Sequence, residues 1–401
     1  PSAPLLIVVH GLKGSHLTTA GCCCPRQYLN PWRLLSGKLC GCGDQFLGKW
    51  SYENNGEDGP QTPDGVVPDA VMADVKFCRC IKVASVYTKL LEIGASDEGQ
   101  EVESFVYDWR RSPTESGQQL EDFLEDKLSN GDGSFNSAQV IVHSMGALVT
   151  WPVLNRRPEL FHSLLMIAPA HHGGVGFLAD LSRETCQGNH TAFNNTMIRP
   201  KTWVGWPAPY YFMPPLGEKN SDGRPYFCEI GSDEGKDTPV EINLHDLEAW
   251  RSNELGPFSP DSGVGTLSRE EEAFFAETLR RAKKHRDLVV RDPNVRYPPI
   301  AVLASTDTQR SVIGWRREPG GRFKLDASEQ GPTSPIVSLG DGRIAVVNTD
   351  PPGGVEVCAR DTSDASHQAS AVDVEKVLPL LRTLRRVATE RGERAGSRGG
   401  G

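Results

Sequence analysis

The segment Gln139-Val-Ile-Val-His143-Ser144-Met-Gly146-Ala147 constrains this chain more than any other. A short, continuous, β-branched apolar run predicts a fully buried strand over 138–143. It runs straight into a serine, and the residues after it predict a helix from Ser144 to about Asn155. A strand that turns sharply into a helix at a serine lifts the hydroxyl above the C-terminal edge of a sheet. It also sets the serine at a helix N-terminus, where backbone N–H groups face developing negative charge. Strand and helix backbones meet at such a turn, so small residues are needed two before and two after the serine. Gly146 meets the second requirement, whereas Val142 stands where glycine is usual. Pro152 predicts a kinked or shortened helix.

Strands and helices alternate on both sides of this turn. Leu5 to Val9 reads as a buried strand ending in the glycine-bearing turn His10-Gly11-Leu12-Lys13-Gly14, and Val102 to Tyr107 as a second strand. Ser112-Pro113-Thr-Glu115 predicts a capped helix start, with a capping box, for a helix ending near Asn130. Further strands are expected at 163–168, 299–304, near 344–347 and at 355–359, and helices at 268–285 and 372–388. This alternation implies right-handed crossovers and a mainly parallel sheet covered on both faces. Residues 20–80 are loop-rich and carry most of the cysteines, and 20–70, with little periodicity, read as loops over the sheet. Residues 172–265 lose periodicity and crowd aromatics and prolines together, as in Trp203-Val-Gly-Trp206-Pro-Ala-Pro-Tyr210-Tyr211-Phe212. They read as a lid or cap inserted between core segments 1–171 and 266–390, with 391–401 a disordered tail. Trp206, Tyr210, Tyr211 and Phe212 either line an acyl pocket or pack the insertion's own core.

A serine nucleophile needs a base, an acid and an oxyanion hole. The N–H groups of Leu12 and Met145 are the expected oxyanion donors, because the glycines around Leu12 let its backbone approach closely. In a chain order of Ser, acid, His, the base is His367, in the loop Asp364-Ala-Ser-His367 before the last helix. His143 is expected to point away from the serine, His171 and His172 to sit in a turn, and His285 to complement a helix dipole. The acid is Asp341, in the tight turn Leu339-Gly-Asp341-Gly342, with Asp307 as competitor and a plain β-turn as the other reading.

Composition excludes some partners. Net charge is −9, and the body of the chain has no basic stripe, so no nucleic-acid partner is expected. Basic residues gather only over 382–398, where peripheral contact with an anionic membrane is one expectation and a solvated helix face the other. No apolar run spans a bilayer, and Leu5 to Val9 is too short for a secretory signal. The chain starts at Pro1, so an upstream segment and the compartment stay open. Its 10 cysteines include C-x-C pairs at Cys40/Cys42 and Cys78/Cys80, spacing that does not suit zinc. Free thiols are expected ahead of a disulfide joining the two pairs, and no metal or cofactor is expected. Asn189 and Asn194 begin glycosylation triplets.

Four segments resemble the lecithin:cholesterol acyltransferase and phospholipid:diacylglycerol acyltransferase family of α/β-hydrolases. Val9-His-Gly11-Leu12-Lys-Gly14-Ser15 resembles its P-G-x-x-G-S turn, with His10 in place of proline. Tyr107-Asp108-Trp109-Arg110 resembles Y-D-W-R, and Val142-His-Ser144-Met-Gly146 resembles G-H-S-M-G. Gly340-Asp341-Gly342-Arg-Ile resembles G-D-G-T-V, with arginine at 343 in place of threonine, and His367 falls where the family's histidine should. The resemblance implies an α/β-hydrolase fold and acyl transfer from a glycerolipid ester to water or another alcohol, with Trp109 and Arg110 bracing a strand end. Two other readings stay open: a carboxylesterase acting on small esters, and an inactive binding protein on the same scaffold.

Overall fold

A computed structural model of the chain describes residues 4–19, 66–77, 81–85, 87–96, 100–129, 135–182, 200–219, 223, 225–230, 237–307, 310–312, 314–317, 319–324, 337–341 and 343–398. Eight of the ten cysteines, among them both C-x-C pairs, and the two glycosylation triplets lie outside these residues, while Cys228 and Cys358 are free thiols.

Six strands form the central sheet: β1 (Leu5–Val9), β2 (Val102–Phe105), β3 (Ala138–His143), β4 (Phe161–Ile167), β5 (Ile300–Ser305) and β6 (Ala359–Ser363). All neighbours pair in parallel, in the order β2-β1-β3-β4-β5-β6. Every residue of β1, β3 and β5 is buried, as the unbroken apolar runs require. Gln139, a polar residue in β3, is satisfied there, donating to Ser163 Oγ (3.1 Å) and Leu381 O (3.2 Å). The chain leaves β1 for β2 on one side and for β3 on the other. The C-terminal ends of β1 and β3 therefore flank the point where strand order reverses, which is where open α/β sheets bind ligands.

Helices α1 (Thr88–Ser96), α2 (Pro113–Ser129) and α3 (Gly146–Arg156) follow in chain order. Next come α4 (Phe177–Ser182), α5 (Pro200–Val204), α6 (Leu247–Ser252), α7 (Arg269–Arg286) and α8 (Val374–Arg398). Ser268 and Glu271 make both bonds of a capping box at α7. No such box forms at α2: Ser112 Oγ accepts the Thr114 N–H (3.1 Å), but the Glu115 carboxylate pairs with Arg111. Pro152 does not shorten α3. The carbonyl of Leu148, which residue 152 cannot serve, is faced by the buried ring of His285.

Some expectations are corrected. Val66–Val71 is a strand antiparallel to Ser15–Thr19, inside a stretch expected as loop. The expected strand near 344–347 is instead a 3-10 turn at Val346–Asn348, with a single Gly340–Ala345 bridge. The last strand lies at Ala359–Ser363, and α8 continues past Ala388 to Arg398. His285 supplies no charge to a helix end, because burial lowers its pKa to about 3. Among the described residues, no helix is long and apolar enough to cross a membrane.

Candidate active site

Ser144 sits between β3 and α3 with φ of 54°, a region that a residue with a β-carbon occupies only under constraint. The constraint is hydrogen bonding on both sides. Its N–H donates to Ile167 O (3.0 Å), and its carbonyl accepts from Ala147 (3.1 Å) and Ala170 (3.2 Å). Backbones crowd here: a β-carbon on Gly146 would meet Val9 O at 2.8 Å and His10 O at 2.9 Å. One on Gly11 would meet Ser144 Cβ at 2.8 Å and His143 O at 3.1 Å, so the turn after β1 lies directly against the serine. Val142 is fully buried in β3, in register with Val9 and Met166.

His367, between β6 and α8, places Nε2 2.8 Å from Ser144 Oγ and Nδ1 2.6 Å from Asp341 Oδ2. A carboxylate only accepts, so Nδ1 carries the proton and Nε2 is free to accept from the serine hydroxyl. The other oxygen of Asp341 accepts the N–H groups of Arg343 (2.8 Å) and Ile344 (2.7 Å). Burial pushes the Asp341 carboxyl up, but the His367 charge and these three hydrogen bonds outweigh it and hold it below the usual carboxylate range. The structure thus brings Ser144, His367 and Asp341 together, and it is Asp341, not Asp307, that bonds the imidazole.

The turn after β1 is held by two buried tyrosines. The Gly11 N–H donates to Tyr87 Oη (2.9 Å), and Tyr107 Oη donates to His10 O (2.6 Å). The His10 ring stacks on Tyr107 at 4.1 Å and 3°, and burial lowers its pKa to about 4. A β-carbon on Gly14 would strike that ring at 2.6 Å, so a histidine at position 10 requires a glycine at 14. Among the described residues, the N–H groups of Leu12 and Met145 donate to no protein acceptor. Beyond the turn, Trp109 Nε1 donates to Ser15 O (3.1 Å), and buried Arg110 pairs with Asp108 (2.5 Å).

Lys13, at φ 63°, sets Nζ 4.7 Å from the centre of the Trp203 ring. Burial and the nearby Arg343 lower its pKa to about 7, while Asp180 acts the other way. Arg343 in turn bonds Asp180 of α4 (2.7 Å). The four aromatics singled out from sequence are all buried, each against another ring. Trp206 meets Trp109 and Trp203, Phe212 stacks on Phe177 at 4.7 Å, Tyr210 meets Trp250 and Phe275, and Tyr211 meets His285. His171 and His172 do sit in the turn after β4, on Met166 Sδ and Asp350 O. Sequence reasoning missed Tyr87 and Lys13, and it had no signal for Tyr87, which reaches the site from the residue just before α1.

No protein-family model matches the chain. It is 21% identical over 306 residues to the uncharacterized protein YJR098C of Saccharomyces cerevisiae, covering 62% of this chain and 43% of that protein. The chain therefore spans less than half the length of that relative. Among solved structures, the Tle4–Tli4 complex aligns with a TM-score of 0.61 at 12% identity, over 97% of this chain and 99% of that one. The mature Bacillus licheniformis lipase BlEst2 aligns at 0.40 and 12% identity, over 95% and 93%. A haloalkane dehalogenase variant from Bradyrhizobium elkanii aligns at 0.33 and 12% identity, over 99% and 92%. The first of these likenesses bears on the fold alone, and none singles out one family within it, the acyltransferases included. With its parallel sheet, its order reversal and its strained strand-to-helix turn, this chain has the α/β-hydrolase fold.

Proposed function

We propose that the chain is a serine-dependent acyl-transfer enzyme that takes an acyl group from a lipid ester onto Ser144 and passes it to water or another alcohol. The observation that carries this reading is the hydrogen-bonded series Ser144–His367–Asp341, set at a strained turn beside two unengaged amides. His367 Nε2 takes the hydroxyl proton as Oγ attacks the ester carbonyl, and the N–H groups of Leu12 and Met145 hold the oxyanion. The imidazolium returns its proton to the departing alkoxide, leaving an ester on Ser144. His367 then takes the proton of the incoming water or alcohol as its oxygen attacks the acyl carbonyl, and returns that proton to Ser144 Oγ as the acyl–serine bond breaks. Asp341 fixes the tautomer and supports the imidazolium throughout.

The lipid part of the reading rests on residues 172–265, taken as a cap. Trp203 lies beside the oxyanion turn, and Phe177 and Phe212 stack nearby. Apolar cover of this kind favours a long acyl chain over a small soluble ester. A fluorophosphonate probe with peptide mapping tests the chemistry: the label is expected on Ser144 and is lost in Ser144→Ala. A folded protein that takes no label refutes the reading. Hydrolysis rates rising with acyl-chain length are expected, and a preference for acetyl esters refutes the lipid assignment.

A further inference from the structure

Two buried polar side chains beside Ser144 take no part in the acyl-transfer steps above: Tyr87 and His143. His143 precedes the serine on β3, and its two ring nitrogens engage groups other than the Ser144 hydroxyl. Its Nε2 lies 3.0 Å from the backbone carbonyl of His367, and its Nδ1 lies 2.7 Å from Tyr87 Oη. A carbonyl can only accept, so Nε2 carries the proton and donates to His367 O. In the neutral ring Nδ1 is then bare and accepts the Tyr87 hydroxyl proton. That hydroxyl oxygen in turn accepts the Gly11 N–H (2.9 Å). These donors and acceptors are assigned without conflict, the Tyr87 oxygen keeping a second lone pair for the nearby Gln368 side chain, and the bonds of the relay point one way: Gly11 to Tyr87, Tyr87 to His143, His143 to His367. The ring is faced by Tyr87, His367, Asp341 and His10, and burial keeps it neutral.

We infer that Tyr87 and His143 are positioning residues that hold the base His367 in register with the oxyanion turn. Gly11 immediately precedes the expected donor Leu12, so one relay ties the turn that receives the oxyanion to the backbone that carries the base. The arrangement gives a reason for a histidine beside the nucleophile: a neutral ring can donate at Nε2 and accept at Nδ1 at once, spanning two elements. Ser370 Oγ also donates to His367 O (2.9 Å), so the relay supplies one of two bonds on that carbonyl. Removing it loosens the base without releasing the loop.

The inference rests on the acyl-transfer reading of Ser144, and the test keeps the two apart. Fluorophosphonate labelling of the full chain is resolved into a maximal rate and a probe affinity for wild type, Tyr87→Phe, His143→Leu and His143→Gln, with Tm measured on each. Tyr87→Phe and His143→Leu each cut two of the relay's three bonds and are expected to lower the maximal rate about tenfold with affinity within about twofold. His143→Gln keeps an N–H that reaches the same carbonyl and recovers most of the rate. The Tyr87→Phe/His143→Leu double variant falls little further than either single variant, because both cut one relay. Full rate in His143→Leu, equal losses in the Gln and Leu variants, or additive losses would each overturn the inference while leaving the labelled serine in place. No label on wild type would overturn the acyl-transfer reading, and this inference with it. Should His143→Leu not fold, Tyr87→Phe, which removes a single hydroxyl group, carries the test.

Discussion

Asp341→Asn separates a carboxylate that orients the base from one that only fills a turn. The new amide has two ways to sit. With its oxygen toward the chain it still accepts the Arg343 and Ile344 N–H groups, and its NH2 faces His367 Nδ1. Turned over, its oxygen accepts from Nδ1–H as the carboxylate did, but its NH2 then meets two backbone donors in a buried site. Each buried donor left without an acceptor costs about 1–3 kcal/mol, so the first placement is favoured by about 2–6 kcal/mol. In that placement Nδ1 must accept, the imidazole proton moves to Nε2, and no lone pair remains to take the Ser144 proton. At about 1.4 kcal/mol per tenfold, acylation falls between about 30-fold and about 10⁴-fold. The upper figure matches what the same exchange does in an established serine-protease triad, about 10⁴. The assay is the maximal labelling rate with a fluorophosphonate, beside turnover of a chromogenic ester and Tm. A folded Asp341→Asn that labels within about threefold of wild type would refute the argument, because His367 would then owe its tautomer to another group.

Three further outcomes follow from the same geometry. Gly11→Ala places a β-carbon 2.8 Å from Ser144 Cβ and 3.1 Å from His143 O, so labelling should fall at least tenfold and urea stability by about 1–3 kcal/mol. Unchanged values would show that the turn yields freely. The His10 pKa is lowered to about 4, and those of His143 and His285 to about 3, all by burial. The unfolded chain therefore binds protons that the folded one refuses, and stability is lost as pH falls from about 6.5 toward 4, by about 1 kcal/mol per buried histidine per pH unit. Urea midpoints measured across that window check it, and a flat profile above pH 4.5 contradicts it. Asp341 has the carboxylate sign: its folded pKa is depressed, so its contribution is present above the usual carboxylate range and fades as pH falls through the lower folded value. The stability gap between wild type and Asp341→Asn should therefore narrow from pH 6 to pH 3, and a gap that widens contradicts the assignment.

What could be read from sequence follows what is contiguous in it. The strand, serine and helix start of 138–147 adjoin one another, and the apolar run has one reading once a turn must follow it. β6 begins four residues beyond the expected start at Val355, because Val355 to Ala359 is the more apolar stretch. The strand itself, Ala-Arg-Asp-Thr-Ser, alternates half-buried and exposed residues before a buried Ser363, as an edge strand does, and so carries no continuous apolar run. The segment near 344–347 has β-branched residues but no ladder. The Asp341 carboxylate takes the Arg343 and Ile344 N–H groups, and the chain closes into a turn. Asp341 and His367 are legible from turn composition and chain order, together with the resemblance. Tyr87 lay beyond reach, because it meets His143 across 56 positions and Gly11 across 76. His285 misled for the opposite reason: its place at a helix end is visible, but its burial comes from packing against Tyr211 and Thr114 on other elements.

Val142 shows where a motif's steric demand actually falls. The pattern asks for glycine on both sides of the serine, yet Ser144 reaches φ 54° with a fully buried valine two residues before it. The closest backbone approaches are at Gly146, against Val9 O and His10 O, and at Gly11, against Ser144 Cβ and His143 O. Both contacts join the elbow to β1 and the turn that follows it, whereas Val142 points into the sheet's packing in register with Val9 and Met166. The close approach that the pattern assigns to position 142 is made here by Gly11, in the turn after β1 across the order reversal. Exchange of Val142 for glycine should therefore leave the serine's rate nearly unchanged and cost stability, by roughly the transfer and cavity terms of a buried valine, about 2–4 kcal/mol. A faster-labelling Val142→Gly would mean that the valine does strain the elbow.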